Sequence, residues 1–301
     1  MKIQKTHPIP TPSNAAIGPW RMIVCDLDGT LISRTHKVSA VDQAAIKKAR
    51  SAGLHVTICT GRSTMESIAL LSPLDLSGEG VFVNGATVSD LADGATRLAR
   101  GLSAELVLKL VDFFSHFGHA VLLLVDAASS ACLHYVITSH GPIHAATEEW
   151  LLRNKLSATE MNEHDACRSG TILRVGIVVD VPQSQEITDA LAAQFGRQIS
   201  FLALRAPLFD SHVIEVFGAE VNKWSGIEVL CNRMNVDPRT VVTIGDDVND
   251  LPMLQNAGLS FAMGNALDEV KAAAKQITLT QSQNGVAAAI AEVLAQCAGM
   301  P

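Results

Sequence analysis

The sequence lacks any concentration of positive charge and any apolar run long enough to cross a bilayer. Lys and Arg number 23 against 30 Asp and Glu, which gives a formal net charge of -7, and no basic cluster typical of a nucleic-acid surface is present. Apolar stretches such as 120–125 are far shorter than the roughly 20 residues of a membrane helix. These absences argue against nucleic acid or membrane as a partner, and we expect a soluble cytoplasmic protein.

The six cysteines also lack the spacing of a disulfide or zinc framework, because no C-x-x-C pair occurs and several lie inside apolar runs. Scattered cysteines in a chain of 301 residues are typical of small buried side chains in a reducing compartment. The first 19 residues contain four prolines and no apolar signal core. We therefore predict a flexible N-terminal leader over 1–19 rather than a secretory signal.

What the sequence does contain is an alternation of apolar strands with amphipathic helices at both ends of the chain. The predicted early strands are 21–25, 54–59 and 81–83, with helices 39–52 and 63–71 between them. The predicted late strands are 241–244, 259–263 and 276–279, with helices 222–234, 250–256, 267–274 and one from 284. This alternation indicates an α/β fold with a parallel sheet covered on both faces.

The middle of the chain follows a different pattern. A helix over 103–117 precedes two strands, 121–125 and 132–138, separated by a connection so short that they should pair antiparallel. This pattern favours an α+β domain inserted into the first domain over two domains in tandem. We predict a core of 20–87 and 212–301, with 88–211 inserted.

Polar residues follow the last apolar residue of several predicted parallel strands. Asp26 and Asp28 follow the first strand, Thr60 the second, Asn84 the third, and Asp246 a strand near the end of the chain. Because ligands bind at the carboxyl ends of strands in an open α/β sheet, these side chains should converge on one site.

The stretch DLDGT places Asp26 and Asp28 two residues apart. In an extended segment both carboxylates point to one side and repel each other unless a cation lies beside them. A hard divalent ion such as Mg²⁺ with oxygen ligands would meet this requirement. The alternative interpretation is an Asp-Gly turn with a helix cap.

Two further segments offer contacts for an anion. Thr60-Gly61-Arg62 presents a hydroxyl and free amides at a predicted helix start, which suits a phosphate, although an ordinary helix N-cap has the same pattern. Lys223, at the start of a later helix, is a candidate cation for an anionic group; the alternative is a solvated surface lysine.

Taken in order, several segments resemble the haloacid dehalogenase superfamily, and more narrowly its Cof-type, or type IIB, sugar-phosphatase-like branch. The segments are DLDGTL from Asp26, TGR from Thr60, NGA from Asn84, Lys223, GDDVNDLPML from Gly245 and AMGNA from Ala262. The resemblance covers about 20–87 and 212–295. It implies a Rossmann-like, doubly wound core with an inserted, mobile α+β cap that sets specificity. The family commonly has Gly directly after the lysine, whereas Trp224 stands here and the next glycine is Gly226.

The resemblance also implies roles for individual residues. Asp26 would be the nucleophile that forms an aspartyl-phosphate, and Asp28 the general acid and base. Asp26, the main-chain oxygen of Asp28, and Asp246 would hold Mg²⁺. Asp250 would support the metal through water, orient Lys223 or ligate the metal directly, and Asp247 would be a solvated neighbour.

The phosphoryl oxygens would be held by the amides near Leu27 and Gly61, together with Thr60, Lys223 and Asn249, with Asn84 as a supporting residue. The predicted function is Mg²⁺-dependent hydrolysis of a small phosphorylated metabolite: a sugar phosphate, nucleotide or phosphorylated cofactor. The alternatives are a sugar phosphomutase and a non-catalytic phosphometabolite sensor. The intact Asp26 and Asp28 pair argues against a sensor. The sequence predicts no particular oligomeric state.

Overall fold

The structure is a computed structural model that describes residues 18–33, 37–126, 128, 134–206 and 210–299. Nearly all of the predicted leader, and residues 132 and 133 of one predicted strand, lie outside the described residues. The chain divides into two compact units. One contains the described residues up to Ala95 together with those from Lys223 onward, and the other is Thr96–Asn222.

The described residues include fourteen strands and ten α-helices. The strands are β1 (Met22–Cys25), β2 (His55–Ile58), β3 (Glu79–Phe82), β4 (Thr87–Asp90), β5 (Thr96–Ala99), β6 (Leu122–Val125), β7 (Tyr135–Ile137), β8 (Ala158–Glu160), β9 (Ile172–Asp180), β10 (Ile199–Arg205), β11 (Ser211–Gly218), β12 (Val241–Gly245), β13 (Leu259–Ala262) and β14 (Gln276–Ile277). The helices are α1 (Ala40–Ser51), α2 (Thr64–Leu71), α3 (Ala104–Ser115), α4 (Ala145–Arg153), α5 (Glu163–Ser169), α6 (Val181–Phe195), α7 (Lys223–Met234), α8 (Leu251–Asn256), α9 (Asp268–Ala273) and α10 (Gly285–Ala298).

The first unit is built on a parallel sheet with strand order β14-β13-β12-β1-β2. All four residues of β1 are buried, as expected for a strand covered on both faces. From β1 the chain moves outward to β2, whereas from β12 it moves the other way to β13 and β14. Right-handed crossovers in opposite directions place helices on opposite faces, so the predicted doubly wound α/β core is confirmed. The order reverses between β1 and β12, which is where such sheets bind ligands.

The third predicted strand differs from expectation at its end. β3 stops at Phe82 because Val83 and Asn84 adopt left-handed φ angles of 51° and 52°. β3 joins β2 through a single parallel bridge between Cys59 and Val81, and it then pairs antiparallel with β4. This pairing keeps β4 in the first unit.

The second unit has a six-stranded sheet in the order β10-β11-β9-β6-β7-β8. Its neighbours pair antiparallel except β7 with β8, and the predicted β6–β7 pair is antiparallel as expected. Helices α3 and α6 bring Val107, Leu110 and Leu191 into one apolar core with Val175 and Ile177 of β9. The predicted α+β character of this part of the chain is therefore present in the structure.

Along the chain, the boundaries between the two units fall at 95/96 and 222/223, whereas the boundaries predicted from the sequence are 87/88 and 211/212. The differences follow from strand pairing, since β4 hydrogen-bonds to β3 and β11 hydrogen-bonds to β9 and β10. None of the described helices combines the length and apolar character that crossing a membrane requires.

Candidate active site

The acidic residues converge where β1 and β12 end side by side. The two strands run parallel with Cys25 opposite Ile244, so Asp26 and Asp246 follow neighbouring strand ends. The backbone N–H of Asp26 donates to the carbonyl of Ile244 at 2.9 Å, which fixes the first residue beyond the strand.

A buried ion network lies at this edge. Lys223 is only 1% exposed, and its Nζ donates to Asp26 Oδ1 at 2.6 Å and also to Asp250 Oδ1. Burial by itself lowers the pKa of Lys223, but the carboxylates of Asp250 and Asp26 outweigh it and raise that pKa above its ordinary value. The alternative of a solvated surface lysine is therefore wrong. A buried ammonium needs such partners because an unpaired buried charge costs several kcal/mol.

The nucleophile predicted by the resemblance, Asp26, is itself 5% exposed. Burial raises its pKa well above the ordinary value, although Lys223 opposes the shift. The ammonium thus favours the ionised form that a nucleophilic carboxylate requires.

Asp250 uses both carboxylate oxygens within the protein. Oδ1 accepts from Lys223, while Oδ2 accepts from the backbone N–H groups of Asp246 at 2.8 Å and Asp247 at 3.1 Å. A Cβ at Gly245 would lie 2.5 Å from the carboxyl carbon of Asp250, so only glycine fits there. These contacts favour the interpretation that Asp250 orients Lys223 and the loop. The exposed Asp247 side chain accepts from the N–H of Val248 at 2.7 Å and from the backbone of Asp250 in a capping box, so it caps the short turn after β12.

Asp246 is held by two residues that the sequence analysis did not single out. Thr30 donates to Asp246 Oδ1 at 2.7 Å, and Asn265 donates to Oδ2 at 3.3 Å and to the carbonyl of Gly29 at 3.0 Å. Burial raises the pKa of Asp246 to about 7, with Asp250 adding to the shift and Thr30 opposing it. Thr30 lies in the DLDGTL segment and Asn265 in the AMGNA segment, so their positions in these motifs are the signal that could have identified them.

These carboxylates form a donor set suited to a hard divalent cation. One oxygen from each of Asp26, Asp246 and Asp250 lies within 4.8 Å of the others. When all three carboxyl groups are ionised, they exceed the one positive charge of Lys223 by two negative charges. Carboxylate oxygens with this excess fit Mg²⁺ by charge and by ligand type.

Thr60, Asn84 and Asn249 form a second group beside the first. Thr60 is buried, its Oγ1 accepts from the N–H of Arg62 at 3.2 Å, and its carbonyl accepts from the N–H of Asn84 at 3.0 Å. Asn249 Nδ2 donates to Asn84 Oδ1 at 3.0 Å. The N-cap alternative for Thr60 is wrong, because Ser63 takes that position with a capping box to Glu66.

Gly61 lies within this second group, since a Cβ there would stand 3.2 Å from the carboxamide of Asn84. Leu27, whose amide the resemblance assigns to phosphate, is fully buried beside Asp26. Its carbonyl accepts from the N–H of Ile32 at 2.7 Å, which closes the turn of the first loop.

The Asp28 side chain is not part of the three-carboxylate group and instead contacts Arg62. Its two oxygens accept from Nε and Nη2 of Arg62 at 2.6 and 2.7 Å. The Asp28 side chain is 53% exposed and that of Arg62 is 17% exposed. The TGR motif alone gives no indication of this contact of Arg62, because its partner Asp28 lies 34 positions away in the sequence.

Trp224 does not displace Lys223, and the glycine that follows serves the packing of α7. A Cβ at Gly226 would lie 2.5 Å from Cγ1 of Val81 and 2.8 Å from Cα of Gly85. Glycine at this position therefore lets α7 approach β3 and the turn after it.

The chain thus has a doubly wound α/β core interrupted by an α+β unit, with carboxylates and a buried lysine at the switch point of the core. The family model for haloacid dehalogenase-like hydrolases matches residues 23–290. The chain therefore belongs to the haloacid dehalogenase-like hydrolase family, and the family prediction is confirmed.

Known proteins similar to this chain include phosphatases. The 5-amino-6-(5-phospho-D-ribitylamino)uracil phosphatase YwtE of Bacillus subtilis (strain 168) is 28% identical over 295 residues, covering 91% of this chain and 98% of that protein. The HMP-PP phosphatase of Yersinia pestis (strain Pestoides F) is 26% identical over 275 residues, covering 89% and 93%. The solved structure of the subclass IIB sugar phosphatase BT4131 has a TM-score of 0.74 at 19% identity, covering 91% of this chain and 98% of that chain. The likeness to BT4131 shows the fold alone. The family match and the phosphatase relatives show that the chain is an enzyme.

Proposed function

We propose that the protein is a Mg²⁺-dependent phosphomonoester hydrolase of small phosphorylated metabolites. The observation that carries the proposal is the buried contact of Lys223 Nζ with Asp26 at 2.6 Å, beside Asp246 and Asp250. The similarity to YwtE, whose name states that its substrate is a phosphorylated metabolite, supports the same class of substrate. The cytoplasmic location and the specificity role of the inserted region remain predictions.

The local charges explain how a chain with a net charge of -7 could attract an anion. Asp26, Asp246 and the main-chain oxygen of Asp28 would hold Mg²⁺, which when bound would neutralise charge on the phosphoryl group. Asp250 is better suited to orienting Lys223, because its oxygens already accept from Lys223 and from two backbone N–H groups.

In the first step Asp26 would attack phosphorus. A bond forms between a carboxylate oxygen of Asp26 and phosphorus while the ester P–O bond breaks, and the departing oxygen takes the proton of the Asp28 carboxyl group. The alcohol leaves and the phosphoryl group remains on Asp26. Lys223, Thr60, Asn249 and the amides near Leu27 and Gly61 would bind the phosphoryl oxygens and stabilise the charge that develops on them.

In the second step water would release the phosphate. The Asp28 carboxylate takes a proton from water as the water oxygen attacks phosphorus, and the bond between Asp26 and phosphorus breaks. Inorganic phosphate leaves, the Asp26 carboxylate is restored and Asp28 is protonated again. Asn84 supports this step by holding Asn249 at 3.0 Å.

The test is release of inorganic phosphate from a panel of sugar phosphates, nucleotides and phosphorylated cofactors, with Mg²⁺ and with EDTA. We expect turnover only with Mg²⁺, and we expect Asp26→Asn to abolish it because the amide is not a nucleophile. Asp247→Asn, the same change at an exposed neighbour, serves as the control and should retain turnover. Full turnover by Asp26→Asn would refute the nucleophile.

The same assay separates the two alternatives. An isomerised sugar phosphate without free phosphate would identify a phosphomutase. Binding of phosphorylated metabolites with no turnover by the wild-type protein would identify a sensor.

A further inference from the structure

Arg62 makes a two-pronged contact with Asp28. Its Nε and Nη2 donate to the two different oxygens of the carboxylate at 2.6 and 2.7 Å. The Arg62 backbone is fixed from both sides, since its N–H donates to Thr60 Oγ1 at 3.2 Å and its carbonyl accepts from the N–H of Val83 at 2.9 Å. The guanidinium therefore reaches Asp28 from an anchored turn between β2 and α2.

This contact conflicts with the acid role proposed for Asp28. Both oxygens of Asp28 accept from N–H groups of Arg62, so neither oxygen is open to the oxygen of a leaving group while the fork holds. Asp28 must therefore leave Arg62 before it can protonate a leaving group.

The surroundings of Arg62 suggest what replaces Asp28. Arg62 directly follows Thr60 and Gly61, the turn proposed to bind phosphoryl oxygens. A guanidinium fork matches phosphate as well as it matches carboxylate. The Asp28 side chain is 53% exposed and that of Arg62 17% exposed, so water can reach the carboxylate and replace the guanidinium there when the contact breaks.

We propose that Arg62 is an exchangeable anion contact that holds Asp28 in the free protein and moves to a phosphoryl oxygen when a phosphate ester binds. The exchange frees the Asp28 carboxyl group for the leaving oxygen. This inference rests on the proposed function for the role of Asp28, but its central contact is with phosphate itself and can be measured without turnover.

The experiment is a double-mutant cycle on the binding of inorganic phosphate, measured by calorimetry in buffer with Mg²⁺. Arg62→Met removes the fork and should weaken binding by at least about tenfold, the value of one charge-assisted hydrogen bond. Asp28→Asn removes the competing carboxylate and should strengthen binding. In the double variant that gain should vanish, because no guanidinium remains to be released.

Two controls separate this role from a structural one. Arg233→Met breaks a similar fork, in which Arg233 holds Glu79 at 2.7 and 2.6 Å, and should leave phosphate affinity unchanged. Arg62→Lys keeps the charge without the fork and should bind phosphate with intermediate affinity. Thermal unfolding of each variant confirms that the comparison is made on folded protein.

The outcomes are decisive in either direction. Unchanged phosphate affinity in Arg62→Met would overturn the exchange. A gain in Asp28→Asn that persists in the double variant would also overturn it, because the gain would then come from the loss of charge repulsion between Asp28 and phosphate. In the steady state, Arg62→Met should raise KM more than it lowers kcat, and the reverse split would also overturn it. If the wild type binds phosphate but releases none from esters, the proposed function fails while the binding cycle still decides the role of Arg62.

Discussion

Replacing Lys223 with Met should be among the most destabilising single changes in the first unit. The ammonium is 1% exposed and joins two buried carboxylates, Asp26 and Asp250. Removing one partner of a buried ion pair costs about 3–5 kcal/mol, because the remaining charges have lost their compensation. A loss of 1 kcal/mol lowers the Tm of a domain of comparable size by about 2–4 °C.

The assay is thermal unfolding in EDTA, with Lys109→Met as the matched control. Lys109 also pairs with a carboxylate, Glu105 at 2.6 Å, but both side chains are exposed, so its loss should change Tm very little. Added Mg²⁺ should recover part of the loss in Lys223→Met, since a bound cation would compensate the same carboxylates. Equal Tm values for the two variants would refute the reasoning.

The loss should also depend on pH. Burial raises the pKa of Asp26 above its ordinary value even with Lys223 present, and removal of the ammonium should raise it further. A carboxyl group whose pKa is raised in the folded state binds its proton more tightly there than in the unfolded chain. It therefore stabilises the folded state at low pH, and this contribution is lost as the pH rises through the folded-state pKa. Lys223→Met should therefore be more destabilised at pH 8 than at pH 5, and an equal loss at both would contradict this explanation.

Three further predictions concern Asp246, Gly29 and His55. Asp246→Ala should abolish Mg²⁺-dependent phosphate release and Asp247→Ala should not; equal loss in both would refute the division of their roles. Gly29→Ala should destabilise the protein more than Gly118→Ala, as measured by chemical denaturation. Both glycines have φ near +80°, but an added Cβ would lie 2.1 Å from Asp246 Oδ2 at Gly29 and would meet open space at Gly118. Equal losses of stability would show that backbone strain is the sole cause. Burial lowers the pKa of His55 to about 4, so wild-type stability should fall by up to about 3 kcal/mol as the pH drops from about 6.5 towards 4. His55→Gln should show a shallower decline over that range, and an unchanged slope would exclude His55 as its source.

The strand-end pattern predicted that Asp26 and Asp246 come together, because it depends on a local rule. Parallel strands end at one edge, so Asp26 and Asp246, 220 positions apart in the sequence, meet once β1 and β12 are neighbours. The doubly wound core followed from the same alternation of strands and helices. Both inferences need only periodicity and the last apolar residue of each strand.

The sequence alone could not resolve which side chains pair across the site. Lys223 in the first turn of a helix looks the same whether solvated or buried, and its burial depends on where α7 begins relative to β1. The partners Thr30 with Asp246 and Arg62 with Asp28 come from different loops, so no periodicity links them. The end of β3 could not be predicted from the local sequence either, because a valine gives no indication of the left-handed φ angle that Val83 adopts.

The two basic side chains of the site differ in a way that bears on the proposed mechanism. Lys223 is enclosed by Asp26 and Asp250, and Asp250 is fixed in turn by two backbone N–H groups. Breaking such a buried pair costs several kcal/mol, so Asp26 and Lys223 should keep the same arrangement when a ligand binds. Arg62 and Asp28 form a pair that is open to solvent on the Asp28 side, where water can replace a lost partner. In the proposed mechanism the buried pair thus lies at Asp26, the residue that would be aligned with phosphorus, and the pair proposed to exchange lies at Asp28, the residue that would transfer a proton twice in each cycle.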